Sequence, residues 1–240
     1  MAQPYLYDRT LLTTAVLAKF KAQHPTVNFI HTPDGNSVLF SFENSGAPDR
    51  ERFLLDLHFF LHNPHLPLEN ICSRLDNYYP KNASQEELLY YAQRLVELDD
   101  DSIGAGLYIV GEAGIGKSHI AIGISKEFMR HGLEPNFVIA EQYRFNQKLE
   151  LGSGQVWVID DMNSGYHISS RLFKEVVINA FDRGGRVFVT SNKDYDELMK
   201  EAFVGDSTAN RIRYGDRTKG MFKILHVTGD SFRQANAWYK

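Results

Sequence analysis

Leu107-Tyr108-Ile109-Val110-Gly111-Glu112-Ala113-Gly114-Ile115-Gly116-Lys117-Ser118-His119-Ile120-Ala121-Ile122 reads as an apolar strand, a glycine-rich loop and the opening of a helix. Its centre, Gly111 to Ser118, fits the phosphate-loop pattern G-x-x-x-x-G-K-S. Each required residue has a chemical reason. Glycines let backbone amides turn inward around phosphate oxygens with no side chain in the way. Lys117 sets a point charge beside the β- and γ-phosphates, and Ser118 offers a hydroxyl to magnesium. The helix that begins near Lys117 adds the partial positive charge of its N-terminus. A strand–loop–helix setting makes a chance match of this length improbable, so the expected ligand is ATP with Mg2+.

Working outward, Val156-Trp157-Val158-Ile159-Asp160-Asp161 supplies a second apolar strand about forty residues on. It delivers Asp160 to a strand end, where a carboxylate can hold magnesium, and it places Asp161 to orient or deprotonate an attacking water. A third strand, Val187-Phe188-Val189-Thr190-Ser191-Asn192, also ends in polar residues. It is expected to lie between the other two, bringing Asn192 to the γ-phosphate or the water. Helices are expected over 117–130 and 169–181, with a further strand at Phe137–Ala140. Short, nearly continuous apolar strands that alternate with helices indicate an α/β fold, a P-loop NTPase parallel sheet with helices on both faces. Ser84-Gln85-Glu86-Glu87 reads as a capping box opening another helix, in which Ser84 and Glu87 satisfy each other's amides.

From about Leu75 to Arg233 the chain resembles the DnaC/IstB-like branch of the AAA+ ATPases, the helicase loaders and transposition helper ATPases. The likeness rests on Asp76-Asn77-Tyr78-Tyr79, the phosphate loop followed by His119, and the Asp160-Asp161 pair. It continues through Asp182-Arg183-Gly184, Thr190-Ser191-Asn192, Ala209-Asn210-Arg211-Ile212 and Gly229-Asp230-Ser231-Phe232-Arg233. It implies that Asn192 is the sensor-1 position and Arg233 the sensor-2 arginine. It further implies that Arg211 reaches into a neighbouring subunit's nucleotide, so that a homo-oligomer forms on ATP binding. The nucleotide-binding set is then Gly111, Glu112, Ala113, Gly114, Ile115, Gly116, Lys117, Ser118, His119 and Arg233. Ser118 and Asp160 hold the metal, and Asp161, Asn192 and Arg211 act in hydrolysis. Tyr78 and Tyr79 fall where the adenine pocket begins in such proteins, and core packing explains them equally well. Two departures stand out. Only about fifteen residues, Glu141 to Gln155, separate two strands where loaders carry the helical element that contacts single-stranded DNA, which puts nucleic-acid binding in doubt. Arg213 lies two residues from Arg211 and is an alternative finger.

The first 75 residues differ from residues 76–240 and form a separate small α+β module. Leu11, Leu12, Val16 and Phe20 predict a helix closed by Pro25. Two strands flank the turn Pro33-Asp34-Gly35-Asn36, and a helix from about Asp49 to His62 carries Phe53, Leu54, Leu57 and Leu61 on one face. The expected task of this α-β-β-α module is docking of a protein partner or dimerisation. His58, His62 and His65 recur at near-helical spacing, but Pro64 interrupts them and no further ligand completes a set, so they read as a polar face.

The formal charge of −4 gives no global attraction for nucleic acid, although residues 211–240 hold seven Lys/Arg against Asp216 and Asp230, a net +5. No apolar run is long enough to span a bilayer, and the N-terminus does not read as a secretory signal. With Cys72 as the only cysteine there is no internal disulfide, and the cytoplasm is the expected location. Two rival classes are open at this point. One is a P-loop kinase, with Arg211–Arg217 as lid residues. The other is a nucleotide-binding adaptor that hydrolyses little.

Overall fold

The structure is a computed structural model that describes residues 5–8, 11–32, 37–42, 47–97, 105–142, 156–163, 171–205 and 207–232. The chain divides into two compact units, Met1–Ser73 and Arg74–Lys240.

The first unit contains β1 (Tyr5–Asp8), α1 (Thr14–Gln23), β2 (Val27–His31), β3 (Ser37–Phe42) and α2 (Ala47–His62). Thr13 caps α1 by accepting from the Val16 amide at 3.4 Å, which satisfies one of the free donors at a helix start. The three strands form an antiparallel sheet in the order β1-β3-β2. The expected α-β-β-α module therefore gains a strand, β1, which pairs Tyr5–Asp8 with Phe40–Ser37. A run of four residues is too short for periodicity to reveal. The buried face of α2 also differs from expectation. Phe53, Asp56, Leu57, Phe60 and Asn63 are buried, whereas Leu54 and Leu61 are only partly so. Aromatic packing sets this choice: the Phe53 ring meets Phe20 at 5.7 Å and Phe40 at 5.1 Å between centroids. His58 and His62 stay on the exposed side, with His62 Nδ1 bonded to the His58 carbonyl.

In the second unit a 3-10 turn, Leu75–Asn77, precedes α3 (Ala83–Val96), β4 (Ala105–Val110), α4 (Lys117–Arg130), β5 (Asn136–Ile139) and β6 (Val156–Asp160). Next come a π-helical segment, Leu172–Val177, that runs into α5 (Ile178–Asp182), then β7 (Arg186–Ser191), α6 (Tyr195–Ala202), α7 (Thr208–Lys219) and β8 (Phe222–His226). The expected 169–181 helix is thus partly π-wound. The Asn179 side chain donates to the carbonyls of Lys174 and Glu175 where the two windings join. Its first residues, Ser169 and Ser170, lie outside the described residues, as does most of the Glu141–Gln155 segment.

The sheet is parallel, in the order β5-β6-β7-β4-β8. β7 lies between β4 and β6, as expected from sequence. Successive side chains in a strand point to opposite faces, and the two cores divide accordingly. Leu107, Ile109, Val156, Val158 and Phe188 pack with residues of α3 and α4. Tyr108, Val110, Trp157, Ile159, Val187 and Val189 pack with the π-helical segment, α5 and α6. A strand buried on both faces has no polar side to show, which is why these segments read as unbroken apolar runs.

The start of α3 corrects the expected capping box. Asn82, not Ser84, is the cap: its side chain accepts from the Gln85 amide at 3.0 Å. Ser84 lies inside the helix and donates to Asn82 Oδ1 at 2.8 Å. Asn82 also donates to the Thr228 carbonyl at 2.9 Å, tying the helix start to the chain beyond β8. Asn82→Ala is expected to lower stability by about 1–2 kcal/mol in urea unfolding. Glu87→Ala, which removes only an exposed carboxylate 3.8 Å from Lys223, should change it by less than ~0.5 kcal/mol. Equal losses in both variants would restore the Ser84–Glu87 box.

Candidate functional site

The loop after β4 turns on two glycines with left-handed backbone, Gly114 at φ 86° and Gly116 at φ 94°. Neither has room for a larger residue. A Cβ on Gly116 would lie 2.7 Å from the Tyr78 ring, and one on Gly114 would overlap the Ser231 hydroxyl. Gly116 caps α4, its carbonyl accepting from the Ile120 amide at 3.1 Å. The loop therefore folds back on itself with its amides at the start of a fourteen-residue helix, the arrangement that favours an anion.

Lys117 is buried at 7% exposure. Its ammonium donates to the carbonyls of Gly111 and Glu112 at 2.7 and 2.8 Å and to Asn192 Oδ1 at 2.7 Å. The last bond joins the start of α4 to the residue that follows β7 and brings Asn192 beside the loop. Asp160, at the end of β6, is also buried. It accepts from Thr190 Oγ1 at 2.6 Å and from the Ser118 hydroxyl. Burial raises its carboxyl above the ordinary aspartate range and the neighbouring Asp161 adds to this, while Thr190, Ser118 and Lys117 pull the other way. A carboxylate and a hydroxyl side by side are hard oxygen donors, and that set suits Mg2+.

Asp161 has the one positive φ among described non-glycine residues, 57°, a region that costs energy unless held. It is held on both sides. Its amide donates to Thr190 Oγ1 at 2.9 Å, and its carboxylate accepts from the Asn163 side chain. Asn163 Oδ1 in turn accepts from Ser191 Oγ at 3.1 Å and from the Asn192 amide. Thr190 and Asn163 thus fasten the ends of β6 and β7 to each other. Sequence reasoning missed both in this part. The signal was present in the polar ends of the two runs, but it has meaning only once those strands are adjacent.

The other expected site residues are placed as follows. Tyr78 is buried against the loop, its hydroxyl 3.5 Å from the Ile115 carbonyl, and burial pushes its pKa up to about 12. Tyr79 is exposed. His119 turns to the 3-10 segment, with Nε2 3.0 Å from the Arg74 carbonyl and 2.9 Å from Asn77 Oδ1. Desolvation lowers its pKa. These contacts anchor the helix start to Arg74–Asn77 and leave His119 a positioning part in the loop. Ser231 and Phe232 cross the loop, the Phe232 amide donating to the Gly114 carbonyl at 2.9 Å. Arg233 itself lies outside the described residues. Arg211 is on α7, whose described residues from Ser207 to Arg213 are exposed; its side chain is not among those described. Several charges of the basic end pair within the fold: Arg217 with Asp182, Lys219 with Asp196 at 3.2 Å, and Lys223 with Glu87. No helix among the described residues is long and apolar enough to cross a membrane.

No protein-family model matches the chain, and no curated protein matches it. Solved structures do. The fold is similar to DnaI at 18% identity and a TM-score of 0.57, over 69% of this chain and 93% of that one. It is similar to a candidate primosome component from Streptococcus pyogenes serotype M3 at 18% identity and a TM-score of 0.53, over 69% and 91%. The DnaC helicase loader matches at 20% identity and a TM-score of 0.52, over 65% and 97%. Identities this low establish a shared fold alone, a parallel five-stranded sheet flanked by helices, in keeping with the fold class expected from sequence.

The raised pKa of Asp160 has a consequence for stability. The native state binds its proton more tightly than the unfolded chain, whose value is the ordinary 3.8. The stability this contributes is present below 3.8 and is lost as pH rises through the higher folded value. Above that window the protein carries a buried charge at a net cost. Asp160→Asn keeps an oxygen to accept from Thr190 and Ser118, so at pH 7, without nucleotide, it should unfold at a higher urea concentration than the parent. The gain should shrink towards pH 3. A less stable variant at neutral pH would show that Lys117 and the hydroxyls more than offset the burial of the charge.

Proposed function

We propose, from this phosphate-loop fold of the helicase-loader type, that the chain binds and hydrolyses ATP and acts as an assembly-dependent switch on a protein or nucleoprotein partner. One observation carries the reading: three strand ends converge, so that Lys117 bonds Asn192, Ser118 bonds Asp160, and the charges of Lys117 and Asp160 act on each other. In this reading the amides of Gly111–Ser118 bind the β- and γ-phosphates, and Lys117 exchanges its loop carbonyls for phosphate oxygens. Ser118 and Asp160 are the residues that hold Mg2+, which when bound offsets charge on the phosphate oxygens. Asn192 orients the attacking water and Asp161 receives its proton, with Asn163 fixing the angle of the Asp161 carboxylate.

Arg211 and Arg233 enter on the family pattern alone. Arg211 on an exposed helix completes a neighbouring copy's site, and Arg233 follows Phe232, whose amide already lies on the loop. The likeness to the DnaC helicase loader supports a partner in a nucleoprotein assembly, reached through the first unit. The ion pairs made by Arg217, Lys219 and Lys223 within the fold argue against a large free basic surface for DNA.

Lys117→Ala should weaken ATP affinity by ~1.5–3 kcal/mol, roughly ten- to hundredfold, measured by calorimetric titration. Unchanged affinity would move the nucleotide elsewhere. Trans action of Arg211 is tested by mixing two inactive variants, Lys117→Ala and Arg211→Ala. One mixed interface then pairs an intact loop with an intact arginine, and phosphate release should reappear in the mixture. A silent mixture of subunits shown to exchange would place Arg211 outside a neighbour's site.

A further inference from the structure

The first unit holds a second group of chemically active side chains, unrelated to the phosphate loop. His24, Asp56 and Cys72 come from three separate parts of the chain and are 1%, 0% and 3% exposed. His24 closes α1, its amide donating to the Phe20 carbonyl at 2.8 Å, which fixes the imidazole at the helix exit. Asp56 lies on the buried face of α2, between Phe53 and Phe60. Cys72 follows the 3-10 turn Leu68–Asn70. Their ligand atoms all lie within 4.8 Å of one another, and among the described residues no other group of His, Cys, Asp and Glu does this.

We propose that His24, Asp56 and Cys72 form a structural site for a divalent transition-metal ion, zinc first, that staples the N-terminal unit. The donor set fits. Imidazole nitrogen, thiolate and carboxylate are the three kinds of ligand zinc takes, at about 2.0–2.3 Å each. Two donors at those distances in tetrahedral geometry stand roughly 3.3–3.8 Å apart. His24 Nε2 is already 2.9 Å from Asp56 Oδ2, and the widest pair needs to close by about 1 Å, within reach of side-chain rotation. A neutral imidazole, a carboxylate and a thiolate together carry two negative charges, which the ion balances.

The orientation of His24 is a second, independent observation. Its Nδ1 is 3.2 Å from Asp49 Oδ1, and Asp49 is held by the Thr26 hydroxyl. A carboxylate on Nδ1 orients the ring, and in the tautomer whose proton sits there Nε2, beside Asp56, is the nitrogen left to bind an ion. The rest of the unit gives the ion a role. A unit of this size buries a small fraction of its surface and gains much from a cross-link. With its ligands this deeply enclosed, the site has no path for a substrate, so its work is to join the end of α1, the middle of α2 and the segment after α2.

The test uses the full chain, stripped of metal by a chelator and titrated with Co2+ in the absence of nucleotide. Because Cys72 is the only cysteine, a thiolate-to-cobalt charge-transfer band in the near ultraviolet reports this site alone. The expected result is a band that saturates at one ion per chain, is abolished by Zn2+, is absent in Cys72→Ser and persists in Lys117→Ala. Zn2+ should also raise the unfolding temperature of the parent. Should Cys72→Ser fail to fold, Asp49→Asn serves in its place: it keeps all three ligands, and cobalt affinity should fall about ten- to hundredfold. A folded parent that gives no thiolate band, or an Asp49→Asn variant with unchanged affinity, would overturn the proposal. The cluster would then be an imidazole hydrogen-bonded between two carboxylates and nothing more.

Discussion

The insertion of β7 between β4 and β6 is the constraint on which the candidate site depends. Register pairs Val110 with Ser191 and Ile159 with Val189, so the three strands end side by side at one edge of the sheet. Parallel strands that share a direction deliver their carboxyl ends to the same side, and binding sites of open α/β sheets lie there. Lys117 and Asn192, 75 residues apart in sequence, can therefore bond at 2.7 Å. Were β7 at an edge, the phosphate loop and Asp160 would be adjacent with no group between them to position a water. Thr190 makes the junction firm, since its one hydroxyl bonds both Asp160 and the Asp161 amide.

Placing two opposite charges at a buried strand edge has an energetic consequence. Desolvation penalises both the Lys117 ammonium and the Asp160 carboxylate, and each is kept by directed hydrogen bonds as much as by the other's charge. Lys117 turns to the loop carbonyls of Gly111 and Glu112 and to the Asn192 side chain. The loop is thus preorganised around a positive charge whose hydrogen bonds to Gly111, Glu112 and Asn192 run to neutral dipoles. Exchange of those dipoles for a charged phosphate strengthens each bond, because hydrogen bonds between ionised partners are roughly twice as strong as neutral ones. The segment Ser231–Phe232 and Tyr78 pack against the loop from two further directions, while Glu112 and Ala113 stay exposed.

The N-terminal unit is organised on another principle. Its core is a cluster of phenylalanines from α1, α2 and β3, with Phe53 at the centre. Beside that apolar cluster sit His24 and Asp56, each almost completely buried. Burying such groups is costly unless each finds a strong partner, and a small unit has little surplus stability from which to meet that cost. His24 and Asp56 meet that cost by bonding each other at 2.9 Å, in a cluster distinct from the candidate site of the second unit.

The sequence by itself determined the parallel α/β class and the position of β7, and it singled out Lys117, Ser118, Asp160 and Asn192, which the fold brings to the same end of the sheet. These were legible because they rest on local rules: glycines at a turn, continuous apolar runs in doubly covered strands, and polar residues at strand ends. The cap of α3 was misread as Ser84. Ser84 and Asn82 are both good caps, and both bond Thr228, 144 and 146 residues along the chain; the Ser84 hydroxyl is taken up there and by Asn82, which leaves Asn82 to accept from the Gln85 amide. The strand β1 and the buried face of α2 were decided by pairing with β3 and by aromatic packing, neither of which leaves a period in the sequence. Thr190, Asn163 and the cluster of His24, Asp56 and Cys72 were likewise visible only in three dimensions. A motif carries information when its chemistry depends on neighbours along the chain. Where ligands or hydrogen-bond partners come from separate elements, only tertiary structure brings them close enough for their chemistry to appear.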